Sequence, residues 1–432
     1  MADNNLTPSL KRENFWQKIK QAPWFISLSS SIFTIILGLI AGFILLIVVN
    51  PSNALTGLGK LFVGGFKNTY SISNFIYSAA PIMMTGLSVA FAFKTGLFNI
   101  GTPGQFVAGA LMALIGAILW NAPWYVNILL AMLGGALWGL IPGLCKAFFN
   151  VNEVLATIML NWIALIVADV VISNIDVMID PVYSTRTVNL STVNPSAIIP
   201  GWGLENFDPN LNISIFIGIF FAVICWIIIN KTNFGFELKA CGTNKDASKY
   251  AGISAKRNIV LSLVIAGTLS GIGGAFYYLA PSTTSGYQLQ ISSLPAEGFT
   301  GISVGLLAAS NPIGCIFSAL FISYLDVAGE TLQQLKYAPE NVSFIIGIIV
   351  YFASFVALVR IWIEKVYKKN IFKLLGVKIG QFFKFLFAKC KLGFSWCQNR
   401  IKEVKNGKKD TKPNDVKRDE VKKEDEKKEE DK

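Results

Sequence analysis

The chain has 432 residues, of which 53% are hydrophobic and 15% are charged, and its formal net charge is +12. Of its 38 Lys and Arg residues, 22 lie at or beyond Arg360, so only 16 are spread over the first 359 residues. A soluble protein of this size needs more surface charge than that. The composition therefore excludes a soluble globular fold for the first 359 residues and predicts an integral membrane protein.

Apolar windows close to the length that crosses a bilayer, roughly 20 residues, recur along the chain. They predict an all-α, polytopic membrane protein with about ten transmembrane helices. The window at 297–310 is short and the second window contains Pro81, so the count carries an error of about one helix. The predicted windows lie near 30–49, 74–93, 104–120, 125–147, 152–173, 212–230, 258–280, 297–310, 312–330 and 341–362.

The distribution of Lys and Arg in the short loops predicts the orientation. With ten helices and a cytoplasmic N-terminus, twelve Lys or Arg residues fall inside and four fall outside, and the basic C-terminal segment also falls inside. Both termini are therefore predicted to be cytoplasmic. The first window is a full-length helix without a cleavage site, so we expect it to be retained.

Four segments are predicted from the change of composition along the chain. Residues 1–29 form a cytoplasmic lead and residues 30–362 the transmembrane domain. Residues 363–405 mix Lys with aromatic and aliphatic residues, which predicts a basic amphipathic juxtamembrane segment on anionic membrane lipid. Residues 406–432 have almost no apolar content, which predicts a disordered charged tail. Its acidic residues alternate with its Lys residues, which disfavours nucleic-acid binding.

Several classes of chemistry are excluded by what the sequence lacks. The chain has no His, so it has neither a histidine general base nor a His-ligated metal site. It has no GxxxxGK[ST] phosphate loop, so we expect no ATPase site, no enzyme activity and no cofactor in this chain. No pair of cysteines has metal-ligand spacing, so we expect all six to be reduced: Cys145, Cys225, Cys241, Cys315, Cys390 and Cys397.

A short internal repeat predicts two related halves. "TGLSVAFA" at 85–92 resembles "TGISVGLLA" at 300–308, and both copies read T-G-x-S-V. Because many transporters are built from repeats, the echo predicts halves that pack about a pseudo-two-fold axis.

Two polar patches interrupt the apolar pattern in the first half. The first, "KTGLFNIGTPGQ", offers Asn99, Thr102 and Gln105 among helix-breaking glycines, which predicts a helix start or turn that lines a cavity, or a plain inter-helix turn. In the second, Glu153, Thr157 and Asn161 are spaced i, i+4, i+8 on one helix face. Such a stripe faces either a water-filled cavity or another helix.

A third polar segment, 234–258, is predicted to be cytoplasmic and too polar to span. Within it, "NKDASKYAGI" predicts a short helix that ends at Gly252 and has Asp246 near its N-terminus. A short cytoplasmic helix between two membrane spans is suited to docking a soluble partner.

These motifs together resemble the permease subunits of bacterial ATP-binding-cassette importers, in the family that includes branched-chain amino acid and ribose permeases. Within that family the chain is most similar to nucleoside permeases. The resemblance covers roughly 60–360 and rests on "FKTGLFNIGTPGQF", "NEVLATIMLNWIAL" and "LKACGTNKDASKYAGISAKRN". It implies an ATPase-coupling loop at Gly242, Asn244, Ala247, Tyr250, Gly252 and Ile253. The first two motifs predict a substrate pathway that contains Phe98, Asn99, Thr102, Gln105, Glu153, Thr157 and Asn161.

The function implied by the resemblance is the translocation subunit of a nucleoside importer in the bacterial cell membrane. The implied partners are a cytoplasmic ATPase, an extracytoplasmic substrate-binding lipoprotein and a second permease, in a pseudo-symmetric heterodimer or a homodimer. A nucleoside is uncharged, and amide and hydroxyl side chains suit it better than charged ones. A permease for sugars or branched-chain amino acids, and an ion-coupled secondary transporter, remain alternatives.

Overall fold

The computed structural model describes residues 23–183, 185–281 and 294–368. Most of the predicted N-terminal lead, nearly all of the predicted amphipathic segment and the whole predicted tail lie outside these residues. The contacts described below belong to the unit that ends at Ile363.

Within the described residues the chain forms fifteen α-helices and no β-strand. One isolated antiparallel β-bridge pairs Ile179 with Thr187. The helices are α1 (Pro23–Val49), α2 (Ala54–Val63), α3 (Thr69–Phe93), α4 (Thr102–Ile118), α5 (Trp124–Phe149), α6 (Glu153–Ser173), α7 (Leu190–Val193), α8 (Ser214–Lys231), α9 (Asn233–Thr243), α10 (Lys245–Tyr250), α11 (Ala255–Tyr278), α12 (Ala296–Leu307), α13 (Pro312–Glu330), α14 (Pro339–Ala353) and α15 (Val356–Lys368).

The described residues contain eight helical segments that are long and apolar enough to cross a membrane. They coincide with eight of the ten predicted windows, which confirms the all-α, polytopic membrane fold. The other two windows correspond to shorter helices, α4 with 17 residues and α12 with 12 residues. Helix α2 was not predicted, since its ten residues are too few to produce a hydropathy signal. Helix α1 begins at Pro23, seven residues before the predicted window.

Helix α11 lies at the centre of the helical domain and packs closely on α5. The contact is made of glycines, with Gly267 and Gly271 against the backbone of Gly135 and Gly139. A Cβ on Gly271 would lie 3.1 Å from the Cα of Gly135. Small residues bring helices together in membranes because packing and close backbone contact replace the hydrophobic effect there. This central pair holds α3 and α4 in place beside it.

The two T-G-x-S-V copies pack directly against each other where α3 crosses α12. Gly86 of the first copy faces the side chain of Val304, and Gly301 of the second copy faces Thr85. The Thr85 hydroxyl also donates a 3.0 Å hydrogen bond to the carbonyl oxygen of Glu297. The two copies of the short repeat therefore contact each other directly, while the pseudo-two-fold relation of the halves stays a prediction.

The polar segment between α8 and α11 folds into α9 and α10. The Asn244 side chain caps α10 by accepting hydrogen bonds of 3.0 Å from the backbone N–H groups of Asp246 and Ala247. Gly252 follows with φ +79, a left-handed conformation that suits glycine and ends the helical path. The predicted short helix before Gly252 is confirmed, and α9 precedes it as a second helix.

Candidate translocation and coupling sites

The break between α3 and α4 is held by a reciprocal pair of side-chain amides. The Asn99 Nδ2 donates to the Gln105 Oε1 at 2.9 Å, and the Gln105 Nε2 donates back to the Asn99 Oδ1 at 3.3 Å. Asn99 also donates to the Ser88 hydroxyl at 3.1 Å and accepts from the Gly101 N–H at 3.1 Å. Both amides are buried. The helix-hostile residues therefore build a fixed turn whose polar groups satisfy one another.

The two polar patches of the first half meet at this turn. The Asn161 side chain accepts a 2.9 Å hydrogen bond from the Gly104 N–H and donates a 3.0 Å hydrogen bond to the carbonyl oxygen of Ile100. A Cβ on Gly104 would lie 2.8 Å from the Cα of Asn161, so glycine is required for this approach. Asn161 thus replaces the helical partners that the backbone at the start of α4 lacks.

Thr102 joins α4 to the second half of the chain. Its hydroxyl donates a 3.0 Å hydrogen bond to the carbonyl oxygen of Gly298, and its own carbonyl oxygen accepts a 2.7 Å hydrogen bond from the Ser270 hydroxyl. The start of α4 therefore contacts both α11 and α12. Because the Thr102 side chain is buried, these bonds fix the position of the turn within the helical domain.

The remaining residues of the predicted pathway surround this cluster without joining its amide network. Thr157 is buried and donates to the carbonyl oxygen of Glu153 at 2.7 Å. Glu153 forms a 2.7 Å ion pair with Lys146, and each of these two side chains is 17% exposed. The half-buried ring of Phe98 lies 5.1 Å from that of Phe93, measured between centroids. In this conformation the polar groups of the predicted pathway bond to protein groups, and contact with substrate stays a prediction.

The predicted coupling segment touches the same turn from the other side. Gly242, near the end of α9, faces the carbonyl oxygen of Lys94, and a Cβ on Gly96 would lie 3.2 Å from the Cα of Gly242. Gly96 has φ +72. Burial lowers the pKa of Lys94 below its usual value, and the charge of Lys239 lowers that pKa further. The contacts of Gly242 and Gly96 therefore bring the backbone of the predicted coupling loop against the backbone of the helix break.

The rest of the predicted coupling loop is open to solvent. Tyr250 is 94% exposed at the end of α10, and Asn244, Ala247 and Gly252 are also exposed. Ile253 is half-buried. The coupling role of these exposed residues stays a prediction.

Sequence reasoning missed three residues that complete these sites. Ser88 bonds to Asn99, Ser270 bonds to the backbone of Thr102, and Lys146 pairs with Glu153. Ser88 could have been singled out from the sequence, since it is the serine of the first T-G-x-S-V copy. Nothing in the sequence singles out Ser270 or Lys146, because their partners are set by how the helices pack.

The apolar helices define a polytopic membrane protein, and comparison with known families places it in the transport class. The chain belongs to the family described as the permease component of the branched-chain amino acid transport system, whose model matches residues 71–354. The eight candidate spans and this membership make it a multi-pass protein of the plasma membrane.

Relatives of this chain include permeases of guanosine and nucleoside transporters. The guanosine ABC transporter permease protein NupP of Bacillus subtilis is 36% identical, over 78% of this chain and 96% of the relative. The nucleoside ABC transporter permease protein NupB of Lactococcus lactis is 34% identical, over 77% of this chain and 92% of the relative. A second guanosine permease of Bacillus subtilis, NupQ, is 27% identical over 61% of this chain and 83% of the relative. No solved structure matches this chain.

Proposed function

We propose that this chain is the membrane-spanning subunit of an ATP-driven importer of nucleosides. One observation carries the proposal: two relatives that are named as guanosine and nucleoside permeases match over more than nine tenths of their own length. The family description names branched-chain amino acids, so the substrate class rests on these relatives and on the chemistry of the site.

The proposed pathway includes Phe98, Asn99, Thr102, Gln105, Glu153, Thr157 and Asn161. In the present conformation the amides of Asn99 and Gln105 hold the turn together. A movement of the turn during transport would present the same amide groups to a neutral, hydroxyl-rich substrate without introducing a fixed charge.

The energy comes from a partner in this proposal. The chain has no phosphate loop of the GxxxxGK[ST] type and therefore depends on a cytoplasmic ATPase. The exposed residues of α10, with Tyr250 at its end, are the proposed docking surface for that ATPase. This assignment requires α9 and α10 to be cytoplasmic, as the distribution of Lys and Arg also predicts, with both termini on the same side.

Two further partners complete the proposed importer. Bacillus subtilis has two permeases that bear the name guanosine, NupP and NupQ, which supports a pair of different permeases over a homodimer. An extracytoplasmic lipoprotein would deliver the nucleoside to the outer side.

The test is uptake by the assembled importer in proteoliposomes. We expect labelled nucleosides to accumulate only with ATP and with the ATPase, and accumulation to persist when a protonophore collapses the proton gradient. Purified chain alone should hydrolyse no ATP. Uptake that follows the proton gradient would establish an ion-coupled transporter instead, and uptake of ribose, glucose or leucine in place of nucleosides would overturn the substrate assignment.

A further inference from the structure

A groove opens between α12, α13 and α14. On one face of α12, Gly301 packs against Thr85 and Gly305 packs against Val89 of α3. The opposite face of α12 carries Thr300, which lines the groove. The groove has a volume of about 820 Å³, within the range of roughly 300–1,000 Å³ that is typical of small-molecule sites.

The groove follows the whole length of α14. Its lining extends from Pro339, at the start of that helix, to Phe355 just beyond its end. The 15 residues of α14 span about 22 Å at 1.5 Å per residue. The hydrocarbon core of a bilayer is about 30 Å thick, so the length of the groove along this candidate span is about three quarters of that thickness.

Two carboxylates of α13 face this groove at membrane depth. Asp326 and Glu330 are one helical turn apart, line the groove and are exposed in the isolated chain. Asp326 lies nine residues before Leu335, where the candidate membrane span Pro312–Leu335 ends. A carboxylate that faces lipid at this depth is costly, so protein or water must cover the open side of the groove.

The lining combines neutral amide and hydroxyl groups, which suit an uncharged nucleoside, with two carboxylates that can serve as strong acceptors for its ribose hydroxyls. The carboxylates accept hydrogen bonds, and Gln333 and the hydroxyl groups of Ser303 and Ser343 both donate and accept them. Phe299 and Tyr351 line the same groove and provide ring faces against which a flat base can stack.

We propose that this groove is a further part of the wall that the chain contributes to the translocation pathway, in addition to the turn that contains Asn99, and that Asp326 and Glu330 accept hydrogen bonds from the ribose hydroxyls of the passing nucleoside. The identity of the solute rests on the proposed function. A second permease closes the open side, and the nucleoside passes between the two subunits.

A matched pair of glycines tests the groove in the complete importer. Gly347 lines the groove and Gly59 lies on α2, and a Cβ meets nothing within 4 Å at either position. Gly347→Cys and Gly59→Cys should therefore both fold. The probe is a membrane-impermeant, positively charged methanethiosulfonate, chosen because the groove carries carboxylates, and the unsubstituted chain with its native cysteines gives the background.

We expect the reagent to modify both variants and to block uptake only in Gly347→Cys, and we expect the nucleoside-loaded binding protein with ATP to change the rate of that modification. Modification of Gly347→Cys that leaves uptake unchanged would overturn the proposal. Labelling of Gly347→Cys by a lipid-soluble maleimide alone would also overturn it, since the groove would then face lipid. Labelling that occurs only when the second permease is absent would overturn it as well, since the groove would then be a contact between subunits.

The carboxylates are tested by Asp326→Asn and Glu330→Gln, with Glu340→Gln as the control. Glu340 is an exposed carboxylate in the first turn of α14 and does not line the groove. We expect nucleoside uptake to fall roughly tenfold or more in the two groove variants, the effect of losing a hydrogen bond to a charged group, while assembly with the ATPase is retained. Unchanged uptake, or a loss of uptake that follows a loss of assembly, would overturn the role of the carboxylates.

The outcomes separate this proposal from the proposed function. If the unsubstituted importer takes up another solute, the nucleoside assignment fails, while block of that uptake through Gly347→Cys still identifies the groove as the pathway. If nucleosides are imported and Gly347→Cys has no effect, the groove fails and the function stands.

Discussion

Gly242 at the end of α9 lies against the turn that contains Gly96. A side chain on Gly242 would meet the carbonyl oxygen of Lys94, and one on Gly96 would lie 3.2 Å from the Cα of Gly242. The same turn leads within a few residues to Asn99 and its amide pair with Gln105. We therefore expect a displacement of α9 to move the helix break, because close-packed interiors transmit strain.

The first prediction concerns this contact. Gly242→Ala places a methyl group against the backbone of Lys94, and overpacking of this kind typically costs about 1–3 kcal/mol. We expect a lower melting temperature of the purified permease and slower ATP-driven uptake by the assembled importer. Gly59→Ala is the control, since a methyl group there meets nothing within 4 Å. Equal stability and uptake in the two variants would refute the contact.

The second prediction concerns Gly252, which has open space around it but a left-handed backbone with φ +79. Gly252→Val should strain that backbone by about 1–2 kcal/mol and disturb the docking surface, while Gly252→Asn should be tolerated because Asn adopts this conformation more readily. The measurement is the amount of ATPase that copurifies with the permease, together with substrate-stimulated hydrolysis. Gly203→Val is the control, because Gly203 has φ +94 and open space in the loop before α8.

If Gly203→Val lowers ATPase copurification as much as Gly252→Val does, the effect is general backbone strain and α10 loses its assignment as the docking element.

The third prediction concerns the amide pair. Asn99→Leu leaves the Gln105 amide and the Gly101 N–H without their partner, and each unsatisfied buried group costs about 1–3 kcal/mol. We expect lower thermal stability and slower uptake in Asn99→Leu and Gln105→Leu, and a double variant that is less destabilised than the sum of the two. Additive losses would contradict the pairing.

Uptake of several nucleosides, normalised to folded protein, then separates the two roles of this pair. A changed preference among nucleosides supports the proposed pathway, and an unchanged preference in both single variants removes the turn from the substrate site.

The fourth prediction concerns the ion pair between Glu153 and Lys146. Both side chains are partly exposed, so the pair should contribute no more than about 1 kcal/mol. Glu153→Gln and Lys146→Met should lower the melting temperature slightly and by similar amounts, and the double variant should lose little more. A loss of uptake confined to Glu153→Gln would instead support contact between Glu153 and the substrate, since Lys146→Met removes the same ion pair.

Hydropathy alone located most of the membrane helices. The window at 30–49 and the windows of α5 and α6 correspond to long helices because each apolar run is continuous and local. The short helix before Gly252 was also predictable, since Asn244 caps it and Gly252 ends it through neighbouring backbone groups. Helices α2 and α12 were harder to predict from the sequence, because a run of ten or twelve apolar residues does not distinguish a membrane span from a short packed helix.

The sequence by itself determined which residues are polar at membrane depth, and tertiary structure alone decided what they bind. Asn161 lies 57 residues from Gly104, and Thr102 lies 196 residues from Gly298, so no local pattern joins these partners. Each buried amide or hydroxyl must find a partner where water is absent, and several partners would satisfy it equally well. The choice among them depends on which glycines let two helices approach, and that is a property of the assembled helices.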